Sequence, residues 1–129
     1  MEWFRIFTST EMVRVATDEI VYVLADGNYC DMVLINGKRH KMTFQLHFFE
    51  ENFKLLRHNP FVRVGRSLIV NKRYIYLINL TEQRLEFTGR GIDNNLQLTD
   101  SDGKQKYVSR DKLKELRELL GEEKGNDYE

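Results

Sequence analysis

The chain has 129 residues and a mass of 15.4 kDa, about one domain's worth of sequence. Hydrophobic residues make up 41% and charged residues 31%, which excludes a disordered or fibrous chain. Lys plus Arg and Asp plus Glu both number 20, so no overall charge draws the molecule to polyanions or membranes.

In chain order, residues 3–8 read as a short apolar segment interrupted by Arg5. Residues 12–16 place Arg14 between Val13 and Val15, the alternation of a half-buried strand. Residues 20–25 (IVYVLA) are a β-branched and aromatic run, ended by the turn residues Asp26, Gly27 and Asn28. Another strand follows over 29–35. Asn36-Gly37 then predicts a type I′ hairpin turn, in which both residues take positive φ. The return strand, 38–43, is polar and reads as a solvated sheet edge. Thr43 is the expected N-cap of a helix whose stripe is Leu46, Phe49, Phe53 and Leu56, with His58-Asn59-Pro60 as its stop. The period then returns to two. Strands are expected at 61–64 and 68–71 around a break at 65–67, and a hairpin at 74–80 and 84–88. A loop at 89–95 precedes a second hairpin, 96–99 with 104–108. Ser109 caps a last helix with Leu113, Leu116 and Leu120 on one face. This pattern is a mainly β single domain, residues 1–120, with one internal and one C-terminal helix. Residues 121–129 read as an acidic flexible tail.

Chemistry for catalysis is missing. No Gly-rich phosphate loop, GxSxG motif or Cys/His pair at metal spacing is present, so neither an enzyme nor a metal or cofactor is expected. His40, His47 and His58 fall in an edge strand, a helix and a loop, and read as structural. No apolar run approaches the roughly 18 residues of a membrane span, and the N-terminus has no secretory signal. Cys30, the one cysteine, makes no internal disulfide. The expected location is the cytoplasm.

Charge is unevenly placed. Residues 61–81 hold four basic residues and no acid, residues 104–117 carry a net +4, and residues 118–129 a net −4. The centre of the first stretch is FVRVGRSLIVNKRYI, residues 61–75. There Arg66 and Ser67 sit on a break between two strands. A guanidinium on such a loop forks onto a phosphate or onto guanine O6 and N7, or else ion-pairs on the surface. Ser67 either meets a phosphate or caps its own turn.

Residues 61–71 resemble the signature F-x-R-(V/I)-H-(R/K)-S-x-(I/V)-V-N of the LytTR DNA-binding domain of LytR/AlgR-type bacterial response regulators. IVYVLADGNYCDMVLINGK (20–38) is similar to that family's I-x-Y-I-E-A-x-G-N-Y-V segment, and YVSRDKLKEL (107–116) to its closing V-S-R motif. The resemblance implies an elongated arrangement of small antiparallel sheets whose loops enter successive major grooves of double-stranded DNA. Carried over by motif, the contacts would be Asn28 and Tyr29 in the first turn, Arg66 in the second and Arg110 in the closing motif. Ser67, Arg63, Lys72 and Arg73 would meet phosphates, helped by Lys104 and Lys106. Asn28 could instead serve only the turn and Tyr29 could be a strand residue facing the core, Cys30 reads as a core residue, and Asn71 as structural. Gly65 stands where the family usually has histidine, and residues 80–97 are longer than usual. Only about 19 residues precede the matching region, so a free-standing domain without a receiver is expected. A separate signalling protein would supply its input, and homodimers on repeated half-sites its affinity. The alternative is a β-rich protein-interaction module that has lost specific DNA binding.

Overall fold

The computed structural model describes residues 1–89, 95–98 and 108–122. The chain opens with an antiparallel hairpin of β1 (Trp3–Phe7) and β2 (Met12–Ala16), in which Arg5 lies opposite Arg14. A single 3-10 turn leads into β3 (Ile20–Asp26), which pairs with β4 (Tyr29–Leu34), and β4 pairs with β5 (Arg39–Met42). Helix α1 (Leu46–Phe53) crosses to β6 (Phe61–Val64) and β7 (Leu68–Asn71). These strands form one five-stranded sheet in the order β5-β4-β3-β7-β6, with β3 at its centre. A second, three-stranded sheet joins β8 (Ile75–Asn79), β9 (Arg84–Phe87) and β10 (Asn95–Gln97), and α2 (Arg110–Gly121) ends the described chain.

The large sheet is covered on both faces. On one side Ile20, Val23, Met32 and Ile69 meet the first hairpin and α1 through Phe4, Ile6, Phe49 and Phe53. On the other, Tyr22, Leu24, Leu68 and Val70 meet the small sheet and α2 through Leu85, Phe87, Leu113 and Leu116. This double cover explains why residues 20–25 read as an unbroken apolar run instead of an alternation. The first core is a phenylalanine cluster. Phe53 stacks on Phe61 at 3.9 Å between centroids, and Phe49 meets Phe48 edge-on at 5.5 Å. The expected strand β5 is an edge, and its polar sequence suits one.

Three local expectations are corrected. Asn36 keeps a negative φ, and only Gly37 is positive, at 89°. Leu34 N–H donates to the Lys38 carbonyl across a three-residue loop, and the Asn36 side chain accepts from Lys38 N–H. That loop needs a single left-handed residue, so glycine alone meets the demand. The N-cap of α1 is Gln45, not Thr43, and its side chain makes no cap hydrogen bond. The helix also stops at Phe53, before the expected stop: Lys54 N–H still reaches the Glu50 carbonyl, and the Leu55 and Leu56 N–H groups then close tighter turns onto the Asn52 and Phe53 carbonyls. The C-terminal helix agrees with expectation: Ser109 accepts from Lys112 N–H. The first strand of the second expected hairpin is present as β10 and pairs with β9. Residues 99–107, residues 90–94 of the loop expected at 89–95, and the expected tail beyond 122 lie outside the described residues.

Asn71 is fully buried and structural, as its sequence context suggests. Its amide donates to the Ile20 carbonyl at 2.9 Å and its oxygen accepts from Arg73 N–H at 3.0 Å. Asn71→Ala strands both partners, and the expected cost is about 1–3 kcal/mol of stability in urea unfolding. A cost below a few tenths of a kcal/mol would sink that role.

Candidate nucleic-acid interface

Antiparallel pairing brings two turns to one end of the large sheet. Leu24 pairs with Leu68, and Ala25 N–H donates to the Ser67 carbonyl at 2.7 Å. The β3–β4 turn (27–28) and the β6–β7 turn (65–67) therefore stand side by side. Helix α2 begins at the same end. Its third residue, Lys112, lies beside Gly65, where an added Cβ would come within 3.7 Å of Lys112 Cγ. That is ordinary contact, so it is the left-handed φ of 68° that calls for glycine where the family usually has histidine.

Arg66 stands between two concavities. On the α2 side it borders a groove of about 570 Å³ with Arg63, Gly65, Lys112, Glu115 and Leu119. On the α1 side it borders one of about 410 Å³ with Asn28, Tyr29, Gln45 and His47. Its side chain is exposed and has no partner among the described residues. Arg110, in the first turn of α2, is exposed and equally unpaired among them. A cation at that position gains nothing from the helix dipole, so it is left available to an external anion.

The other expected contacts divide. Asn28 is exposed, and the left-handed φ of its turn is carried by Gly27 at 62°, so turn geometry does not require asparagine at 28. Tyr29 is 44% exposed, with Lys41 Nζ 5.4 Å above its ring. The Asp31 carboxylate, 3.3 Å from Lys41, raises that ammonium above the ordinary lysine value. The Ser67 hydroxyl makes no hydrogen bond among the described residues. Cys30 faces the core, where burial, and then the Asp31 charge, push its thiol up to about 11. It is therefore no nucleophile near neutrality.

Arg63 is placed differently from the phosphate contact expected of it. Its Nη1 lies 2.9 Å from Glu50 of α1, its Nε donates to the Gly65 carbonyl at 2.9 Å, and Nη2 to the Arg66 carbonyl at 3.1 Å. It ties the β6–β7 turn to the helix beneath it. Lys72 and Arg73 follow the far end of β7, about 10 Å of strand from the turn. There Arg73 pairs with Asp18 at 3.5 Å. The structure does not bring these two to the Arg66 cluster. Lys104 and Lys106 lie outside the described residues.

His47 and Gln45 border the same concavity as Arg66, which sequence reasoning missed. The stripe of α1 marks its buried side, but no local signal says which loop its first turn faces. His47, Glu50 and Glu51 hold ligand atoms within 4.8 Å of one another. Glu50 is bound to Arg63 and Glu51 to Lys54 at 3.1 Å, so an ion there would have to displace both cations.

The family model of the LytTr DNA-binding domain matches residues 10–121. The chain belongs to the LytTR family. The match extends beyond the motif-bearing core at both ends, taking in β2 and all of α2. Among solved structures, a LytTr DNA-binding domain from Bacillus cereus has a similar fold. It belongs to a protein described as a methyl-accepting/DNA response regulator, and its likeness has a TM-score of 0.59 at 21% identity. It covers 94% of this chain and 98% of that one. None of the curated proteins compared matches the sequence. LytTR is a DNA-binding family and not a family of enzymes, so DNA is this domain's partner class. No helix among the described residues is long and apolar enough to cross a membrane.

Proposed function

We propose that this LytTR domain binds duplex DNA sequence-specifically as a bacterial transcription regulator in the cytoplasm. The observation that carries the reading is Arg66: an exposed guanidinium with no partner among the described residues, on a glycine-led turn with a groove on each side. Arg66 reads a base edge, bidentate on guanine being the favoured pairing for its planar fork. Arg110 does the same, or straddles base and phosphate, from the start of α2. Asn28 and Tyr29 approach from the neighbouring turn, and the Ser67 hydroxyl meets a phosphate. Arg63 serves by positioning the turn, while Lys72 and Arg73 add positive potential from the far end of the sheet. The recognition groups sit at one end of the sheet, Asn28, Tyr29 and Arg66 at turns and Arg110 at the first residue of α2. Loops and a helix end, not the face of a recognition helix, therefore enter the major grooves. A single domain of this size gains affinity as a homodimer on repeated half-sites, where the first contact raises the effective concentration of the second. A separate protein supplies the signal.

Selection from a random duplex library tests this. It should enrich one motif, repeated at a spacing of about one or two helical turns. Binding of that site should fall with salt at a log–log slope of about −4 to −5, for about five neutralised phosphates. Arg66→Ala should lose roughly 1–3 kcal/mol on its best site and flatten the preference at one base. No enrichment, with uniform binding near 10⁻⁴ to 10⁻⁶ M or weaker, is the non-specific level. It would turn the search to a protein partner.

A further inference from the structure

On the α1 side of Arg66, the concavity holds polar groups that the expected loop contacts leave unused. Gln45 occupies the N-cap position of α1 without a side-chain hydrogen bond to the helix. His47 is 71% exposed at its side chain, with Nδ1 3.9 Å from a Glu51 oxygen. Both border the concavity that Asn28, Tyr29 and Arg66 share. The phenylalanine cluster sets this arrangement. Leu46 and Phe49 are buried in it, which leaves His47 on the outer side of the first turn.

The charges facing His47 can be named from each neighbouring element. Its own helix presents Glu50 and Glu51, neutralised by Arg63 at 2.9 Å and Lys54 at 3.1 Å. The β6–β7 side presents Arg63 and Arg66, and β4 presents the Tyr29 phenol and the buried Cys30 thiol. With both carboxylates held by cations, the charge left facing the concavity among the described residues is that of Arg66. An anion is the complementary occupant.

We propose that this concavity is a backbone-phosphate subsite of the DNA interface, in which His47 and Gln45 donate to one phosphate opposite Arg66. The inference rests on the DNA-binding reading above and adds a fourth contact segment, the start of α1. Imidazole donates through a ring N–H in either protonation state. As imidazolium it also brings a charge, and histidine changes charge between about pH 5 and 8. A bound phosphate favours the imidazolium, so binding should be linked to proton uptake at this position.

The test uses the full chain and a duplex carrying the selected site, with affinity measured against salt at pH 6 and pH 8. Wild-type protein should bind more tightly at pH 6, with a salt slope steeper by up to about 0.9, one more neutralised phosphate. His47→Gln should abolish that difference in slope. Gln45→Ala should weaken binding roughly three- to tenfold at both pH values, the net worth of one hydrogen bond. Methylphosphonate replacement, one phosphate at a time, locates the partner: a single position should weaken the wild type at pH 6 more than it weakens His47→Gln, which keeps only the Gln45 contact to that phosphate. Thermal melting checks that the exposed substitutions leave the fold intact. If His47→Gln keeps wild-type affinity and the same pH-dependent slope while Arg66→Ala still weakens binding, the subsite is overturned and the DNA-binding reading stands. If the wild type enriches no sequence at all, it is that reading which fails.

Discussion

Arg66→Ala combined with Arg110→Ala is expected to bring binding of the selected site down to the non-specific level. Each guanidinium that forks onto a base contributes roughly 1–3 kcal/mol of discrimination, and losses at separate contacts add. The pair should therefore lose about 2–6 kcal/mol, roughly thirtyfold to twenty-thousandfold in affinity. Both side chains are exposed and unpaired among the described residues, so the melting temperature should not move. Fluorescence anisotropy with labelled duplex reads the affinity, and a scrambled duplex supplies the non-specific baseline. A double variant that still distinguished the two duplexes as the wild type does would remove both arginines from the readout. The single variants then separate the turn from the helix. If Arg66 alone carries the base preference, Arg110→Ala should weaken both duplexes equally and make the salt slope shallower by about 1.

Phe49→Ala should cost about 3–5 kcal/mol of stability, the range for emptying a large aromatic from a packed core. Phe49 is 0% exposed and touches Phe4, Phe44, Phe48 and Phe53 through ring contacts, so the cavity has few neighbours free to fill it. Urea unfolding measures the loss, and a value under about 1 kcal/mol would mean that the cluster collapses around the gap. The same substitution reaches the DNA interface indirectly. It loosens α1, which carries Glu50, and Glu50 holds Arg63, whose other donors hold the carbonyls of Gly65 and Arg66. Under conditions where the variant is still folded, its affinity for the selected site should drop while its salt slope stays near the wild-type value, because the number of cations at the interface is unchanged.

Much of the fold is legible along the chain. The strands at 61–64 and 68–71, the glycine turns at 27 and 65, the Ser109 cap and the buried face of α1 are all set within a few residues. At that range side-chain period, φ and local hydrogen bonds decide the outcome. Local reading failed where two local options compete. At the start of α1, the N-cap falls on Gln45, two residues after the better capping residue, Thr43. At Asn36-Gly37, a three-residue loop replaces the two-residue turn.

The site is less legible, because it depends on which turns become neighbours. The sequence by itself determined the family, through three motifs in register, and picked out Arg66 and Arg110 as cations on a turn and at a helix start. Only the tertiary structure decided that Arg63 turns inward to Glu50, thirteen residues away, while Arg66 stands exposed with no partner among the described residues. Only it separated Lys72 and Arg73 from the cluster, by the length of β7, and brought Gln45 and His47 to it. The physical reason is the strand order β5-β4-β3-β7-β6. That order is fixed by burying both faces of the central strands, a condition satisfied by the whole chain and written in no single segment of it.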